Sequence, residues 1–347
     1  MSLSRRQILQ MLGIGLIASR VTDVYAAGLR PGSALKPPRL QAGDTVGLIN
    51  PAGATFHPDD VVMARETLAA LGLKMKAGEH LLDRYGYLAG SDKDRASDIN
   101  RMFADQEVAA ILTLRGGWGC NRLLDLIDYK QIAKNPKILM GYSDITSLLL
   151  ALNARTGLVT FHGPVGISSW NQYSTQFVEK LLFNAETFSM ANPKYIGDHL
   201  TQVNDRVLTI NGGKAKGRLL GGNLSVLTAM VGSAYLPDFK DNILFLEEVG
   251  EEIYRVDRML TQLKLAGILG RISGFVFGKC SDCDPGKGYG SLTLEEVLDD
   301  HIKPLGIPAW YGSMIGHMEN KFTIPLGIEA EIDAHTGTIS LLEPAVL

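Results

Sequence analysis

At 347 residues the chain is longer than one typical hydrophobic core, and two domains are expected. An apolar fraction of 46% and a charged fraction of 20% are those of a globular protein, and a net charge of −3 removes any electrostatic reason to expect nucleic acid as a partner. Three cysteines, Cys120, Cys280 and Cys283, are too few for a disulfide framework, and the C-x-x-C at Cys280 lacks the second ligand pair of a zinc site, so that pair is expected as incidental packing.

The first residues carry an arginine pair, Arg5 and Arg6 after Ser4, a short apolar run from Met11 to Ala18, and small residues at Val24 and Ala26. This is the pattern of an export signal of the twin-arginine type over 1–26, with cleavage near Ala26; the competing reading is an amphipathic N-terminal helix. The run is too short to anchor in a bilayer and no lipobox cysteine follows. A periplasmic protein without stable membrane insertion is therefore expected, or a cytoplasmic one if the signal is unused.

Beyond a proline-rich spacer, apolar strand-like runs alternate with helix-like ones, the signature of a parallel α/β sheet. "TVGLINPAG" (45–53) reads as a buried strand ending in a turn, and "PDDVVMARETLAALG" (58–72) as a helix with Pro58 and two acids in its first turn and Gly72 at its end. Further strands are "VAAILTLRGGWG" (108–119), "KILMG" (137–141) and "LVTFHGP" (158–164), with a helix "DITSLLLALNARTG" closed by Gly157. Ligands of open parallel sheets bind beyond the carboxyl ends of the strands, where Gly53, Gly116, Ser143 and His162 would all lie. From Asn184 the periodicity weakens, and a linker is expected over 191–211 between a first domain at 40–190 and a second at 212–347. The second half offers strands "ILFLEEVGEE" and "GFVFGKC", helices "YRVDRMLTQLKLAG" and "LTLEEVLDDHI", and a closing hairpin "AEIDAHTGTISLL", consistent with a mixed sheet.

The chemistry concentrates in "MGYSDITSLL", where Ser143 falls at a strand-to-helix turn that would expose its hydroxyl, the geometry of a nucleophile elbow. The hydrolase pattern G-x-S-x-G is not met, since Ile145 replaces the second glycine, and Ser143 could equally cap the helix that follows. Unpaired N–H groups at the helix start, that of Asp144 among them, could stabilise an oxyanion, and Gly116 and Gly117 of "LRGGWG" offer a second donor. A phosphate loop would want a lysine and a hydroxyl directly after the glycines, and "WGCNR" supplies neither; a plain strand-terminating turn is the remaining alternative.

A serine nucleophile needs a base, and the base an orienting group. Of seven histidines, His57, His80, His199, His301 and His335 lie in polar surroundings that suit solvated side chains, while His162 in "TFHGP" and His317 in "SMIGHMENKFTIPLG" stand out. "ILFLEEVGEE" supplies an acid at the tail of an apolar strand, where burial demands a partner, and alternation lets only one of Glu247 and Glu248 face the cleft. Arg115 is a candidate for binding a substrate carboxylate, although an arginine there would also suit a structural ion pair.

"RGGWG", "MGYSDIT", "GGNLSVL", "LEEVGEEIYRVDRML" and "GHMENKFTIPLG", in this order, resemble the LD-carboxypeptidase family of serine peptidases, which includes muramoyltetrapeptide carboxypeptidases and microcin C immunity peptidases. The match runs from about Gly43 to the C-terminus, and "YLAGSDKDRASDINRMF" is similar to a further family signature. The resemblance implies a flavodoxin-like N-terminal domain with a smaller mixed β/α C-terminal domain and the site between them. It also implies a catalytic triad of Ser143, Glu247 and His317, an oxyanion hole from the N–H groups of Gly117 and Asp144, and His162 shaping the cleft floor; Gly116 stands with Arg115 and His162 as a candidate substrate contact. No metal or other cofactor is expected. The implied reaction is removal of the terminal D-alanine from peptidoglycan tetrapeptides by a homodimeric enzyme. Another peptide-like amide is the competing substrate, and a non-catalytic periplasmic muropeptide-binding protein the competing class.

Overall fold

The structure is a computed structural model that describes residues 34–283 and 290–347; the expected export signal lies outside the described residues. The chain first forms β1 (Thr45–Ile49), α1 (Asp59–Ala70), β2 (Lys74–Ala77), α2 (Asp92–Ala104), β3 (Val108–Thr113), α3 (Tyr129–Lys134), β4 (Ile138–Gly141), α4 (Thr146–Thr156), β5 (Thr160–His162) and α5 (Gln172–Val178). There follow β6 (Ser189–Met190), β7 (Leu208–Asn211), β8 (Lys214–Asn223), α6 (Leu224–Thr228), β9 (Ile243–Val249), α7 (Ile253–Leu265) and β10 (Gly274–Ser281). The last elements are α8 (Leu294–His301), β11 (Ala309–Tyr311), β12 (Ile324–Leu326), β13 (Glu329–Asp333) and β14 (Thr338–Leu341).

Strands β2, β1, β3, β4 and β5 lie side by side in that order and run parallel. This is the flavodoxin-like winding, with its switch point between β1 and β3. Every residue of β4 and all but the first of β1 are buried, as an apolar strand covered on both faces must be. Ser91 caps α2 by accepting the N–H of Asp94, and Gly157, left-handed at φ 73°, ends α4 where the sequence placed its stop.

The second sheet is mixed, in the order β6-β14-β13-β8-β9-β10-β11-β7. Its centre, β8 to β11, is parallel, and β7, β13, β14 and β6 add antiparallel edges. Residues 208–211, at the end of the expected linker, form β7 rather than loop.

Two features bring the sheets together at one end. β12, from the second half of the chain, pairs antiparallel with β5, Ile324 opposite His162, and so extends the first sheet. The buried N–H of Asn223, at the end of β8, donates to the Thr146 hydroxyl at the start of α4, at 3.0 Å. The carboxyl ends of β4, β8 and β9 therefore converge.

One expectation is corrected. Cys280 and Cys283 are not incidental packing but a disulfide at the end of β10, with their Cα atoms 5.4 Å apart, inside the range a disulfide spans. The strand ends at Ser281 and the chain turns at once, which brings together two thiols three residues apart in sequence. Cys120 is free and buried.

Candidate active site

Ser143 follows the buried strand β4 and the extended Tyr142, and it takes φ 64°, the left-handed region that non-glycine residues seldom occupy. A single 3-10 turn, Ser143–Ile145, then leads into α4. The sharp turn requires space. A Cβ at Gly116 would fall 2.8 Å from the Ser143 Cβ, so only glycine fits beside the serine. The capping alternative is not realised: no side chain caps either the 3-10 turn or α4, and the Ser143 hydroxyl makes no hydrogen bond among the described residues.

The loop 116–120 closes over the elbow. Gly117 adopts φ 128° and lies so close to Gly53 that a Cβ there would meet the Gly53 backbone at 2.9 Å. The N–H groups of Gly117 and Asp144 have no acceptor among the described residues, which leaves two donors beside the serine. Two side chains pin the loop from below. The Asp144 carboxylate accepts the Cys120 N–H at 2.8 Å, and burial pushes its pKa up. Arg95, 1% exposed, donates to the Gly119 carbonyl at 3.1 Å and to the Pro51 carbonyl, with its charge met by Asp92 at 2.6 Å. Arg95 was illegible in sequence, because an arginine among the acids of a helix start reads as surface charge.

Across the cleft, strand alternation divides the two glutamates of β9. Glu247 is fully buried, and its Oε2 lies 2.8 Å from His317 Nδ1. Glu248 points to the opposite face of the strand, where it lines the cleft beside Ser143, and accepts the N–H of Ser225 at 2.7 Å, that of Val249 at 2.9 Å and the Asn223 amide at 3.0 Å. Their acidities diverge accordingly. Burial pushes both carboxyls up; for Glu247 the imidazoles of His162 and His317 outweigh it and hold the pKa down at about 2, whereas Glu248 remains raised. His162 lies beneath the cleft, 2% exposed, with Nε2 3.7 Å from the second Glu247 oxygen and its ring edge-on to Tyr142 and Phe245. His317 is propped through its carbonyl, which accepts the Ser281 hydroxyl at 2.7 Å, and its ring packs 4.8 Å from that of Tyr142.

A cleft of about 630 Å³ opens beside Ser143, with Ser143, Asp144, Gly117 and Trp118 on one side and Asn223, Ser225, Glu248 and Glu251 on the other; Glu247 and His317 do not line it. That is room for a small peptide. Arg115 sits beside it, but its guanidinium donates to the Ala54 carbonyl at 3.2 Å. Three residues that matter here went unnoticed in sequence: Arg95, Tyr142 and Asn223. Asn223 had a readable signal, as the last residue of "GGN" before a helix. His57, His199 and His335 are exposed as expected, whereas His301, expected to be solvated, is mostly covered and bonded to Asp257 at 2.6 Å.

A hydroxyl on a strained elbow, free N–H donors beside it and an imidazole held by a buried carboxylate against the adjacent Tyr142 make up the equipment of acyl transfer. Models of the LD-carboxypeptidase N-terminal and C-terminal domains match residues 46–163 and 216–332. A relative named "Probable murein peptide carboxypeptidase", from Bacillus subtilis, is 40% identical over 303 residues, covering 86% of this chain and 91% of that protein. The solved structure of MccF in complex with glutamyl sulfamoyl guanosine superposes with a TM-score of 0.82 at 29% identity, over 90% of this chain and 100% of that one. The muramoyltetrapeptide carboxypeptidase from Oxalobacter formigenes gives 0.72 at 27% identity, over 86% of this chain and 97% of that one. The chain belongs to the LD-carboxypeptidase family of peptidases.

Proposed function

We propose that the protein is a serine carboxypeptidase that hydrolyses the L,D-amide bond to the terminal D-alanine of peptidoglycan tetrapeptides. Ser143 Oγ attacks the amide carbonyl while His317 Nε2 takes its proton, and the N–H groups of Gly117 and Asp144 receive the oxyanion. His317 then gives the proton to the leaving amine, the C–N bond breaks, and an acyl-Ser143 ester remains. Water activated by His317 hydrolyses that ester and regenerates the serine. Glu247 fixes the imidazole tautomer through the 2.8 Å contact at Nδ1 and balances the imidazolium charge. Catalytic serine–histidine bonds commonly tighten when substrate binds, so the absence of one at Ser143 is compatible with this role.

The observation that carries the reading is the backbone of Ser143, held at φ 64° against Gly116. Strain at an uncapped, accessible serine has no structural beneficiary. The name of the Bacillus subtilis relative supports murein peptides as the substrate class. Site of action outside the cytoplasm, in the periplasm, is part of the proposal, supported by the twin-arginine pattern at Ser4 to Arg6 and by the Cys280–Cys283 disulfide, a bond that persists in oxidising compartments. A homodimer is proposed on the family resemblance alone.

The test is mass spectrometry of a muropeptide mixture before and after incubation with the protein. Tetrapeptides should lose the mass of one D-alanine, and the Ser143→Ala variant should release none while still binding the peptide. A fully active Ser143→Ala variant, or cleavage of pentapeptides alone, would refute the assignment. Likeness to MccF, named as a microcin C7 self-immunity protein, supports a second reading in which a peptidyl nucleotide-like amide is cleaved, and the same assay run on such an amide separates the two.

A further inference from the structure

An exopeptidase has to read the free carboxylate of the residue it removes, and the catalytic groups alone do not. The geometry of the reaction says where that carboxylate lies. His317 must protonate the leaving nitrogen, and the carboxylate hangs on the same Cα as that nitrogen. It therefore falls on the His317 side of Ser143, away from the Trp118 wall.

The two arginines near the site each have a hydrogen-bond partner in the protein. Arg115 donates to the Ala54 carbonyl, and Arg95 is held by Asp92 and the carbonyls of Gly119 and Pro51, although the buried Nε of each has no hydrogen-bond partner among the described residues. Lys321, four residues beyond His317, is different. Its side chain is buried, the residue being 6% exposed, yet its ammonium makes no hydrogen bond and no ion pair among the described residues. It rests 4.2 Å over the ring of Tyr142, the same ring that packs 4.8 Å from His317. Its unpartnered ammonium keeps some contact with solvent. The backbone beneath it is fixed, with the Lys321 N–H donating to the Ser174 hydroxyl at 3.0 Å and the Phe322 N–H to the Met314 carbonyl at 2.7 Å.

A covered cation with no counter-ion is costly to keep, and a stacked tyrosine offsets only part of that cost. Burial lowers the lysine pKa to about 8, so the ammonium is still charged near neutrality. Glu247 is the acid whose field reaches it, and that carboxylate is already engaged by His317. The missing partner is an anion arriving from outside.

We propose that Lys321 is the receptor for the free carboxylate of the peptide's terminal residue, and that it, rather than Arg115, makes this site an exopeptidase's; the proposal rests on the carboxypeptidase reading above. The ammonium supplies a point charge on the leaving-group side, and the ring of Tyr142 touches both it and His317.

The experiment compares a synthetic tetrapeptide ending in L-lysyl-D-alanine with the same peptide ending in D-alaninamide, for the wild type, K321M and K321R. The wild type should prefer the free acid by roughly a hundredfold in kcat/KM. K321M should lose that preference, chiefly through KM on the acid, while its rate on the amide stays within about twofold of the wild type. K321R should keep most of the preference. K321Q serves in the same way where K321M does not fold. Intact acid-over-amide preference in K321M or K321Q overturns the proposal and leaves the carboxypeptidase reading standing, and equal losses on both substrates assign Lys321 a merely structural role, which also overturns it. A wild type that cleaves neither peptide, or a Ser143→Ala variant that cleaves the acid normally, sinks the reading itself and this proposal with it.

Discussion

The two walls of the cleft are built by different physics. On the first, Ser143 is positioned by backbone sterics: a left-handed φ, a glycine pressed against its Cβ and a loop folded over Gly53. On the second, charge adds to sterics: one buried carboxylate lies between two imidazoles, and Gly316 beside His317 takes φ 123°, where a Cβ would fall 2.7 Å from Glu247 Oε2. A wall held by sterics should fail when volume is added. A wall held by charge should fail when charge is removed at constant volume.

The largest effect is expected on the charged wall. Glu247→Gln keeps the shape but lets the amide hold the wrong imidazole tautomer, and kcat should fall roughly a thousand- to ten-thousandfold with little change in KM. Steady-state kinetics on a tetrapeptide checks this, and a loss under tenfold would show that Glu247 does not orient the base. On the steric wall, Gly116→Ala should cost about a hundredfold in kcat, as expected for displacing an elbow and its oxyanion donors. It should also lower stability by about 1–3 kcal/mol, the cost of overpacking, read as the urea midpoint. Gly250→Ala is the contrast: Gly250 has φ 69° with open space around its Cα, so that variant should lose some stability with kcat preserved. If both glycine variants lose activity equally, contact with Ser143 is not what matters at Gly116.

Acid titration sharpens the comparison within one strand. Glu247 has its pKa depressed from 4.5 to about 2, so it contributes stability that is fully present above about pH 5 and is lost as pH falls toward 2. The loss should amount to about 3 kcal/mol in the difference between the wild type and Glu247→Gln. Glu248, raised by burial, has the opposite sign: it favours the folded state below its unfolded pKa and loses that contribution as pH rises through its folded one. Urea unfolding at pH 7, 5 and 3 of Glu247→Gln and Glu248→Gln should therefore give slopes of opposite sign. Parallel slopes would mean that the imidazoles do not stabilise the Glu247 charge.

The same division explains what was legible in the sequence. The flavodoxin-like order followed from alternating apolar runs and helix stops, because a strand covered on both faces must be apolar throughout, as β1 and β4 are. The elbow was visible as a serine between such a strand and a helix, but whether that serine caps the helix depended on a φ angle that no residue pattern encodes. Which of Glu247 and Glu248 faces His317 depended on register, and one residue of slip would exchange them. Lys321 was hidden for another reason. In "ENKF" a lysine after an acid reads as a solvated pair, and only β12, by pairing with β5, carries it under cover beside Tyr142. The disulfide was discounted by counting cysteines, an argument about frameworks that says nothing of two thiols at a strand end.

That disulfide gives the smallest expected effect and the finest test of the charged wall. It closes the short turn that contains Ser281, whose hydroxyl props the His317 carbonyl, so it supports His317 from behind without touching its charge. A loop this short constrains the unfolded chain little, and its removal in a Cys280→Ser, Cys283→Ser double variant should cost about 2 kcal/mol, a few degrees in Tm. Because Glu247 still fixes the imidazole, kcat should fall only a few fold, and Ser281→Ala in the oxidised protein should reproduce that fall without the drop in Tm. A hundredfold loss on reduction would mean that the position of His317 is set by the covalent clamp behind it rather than by the carboxylate in front, and the division between the two walls would have to be redrawn.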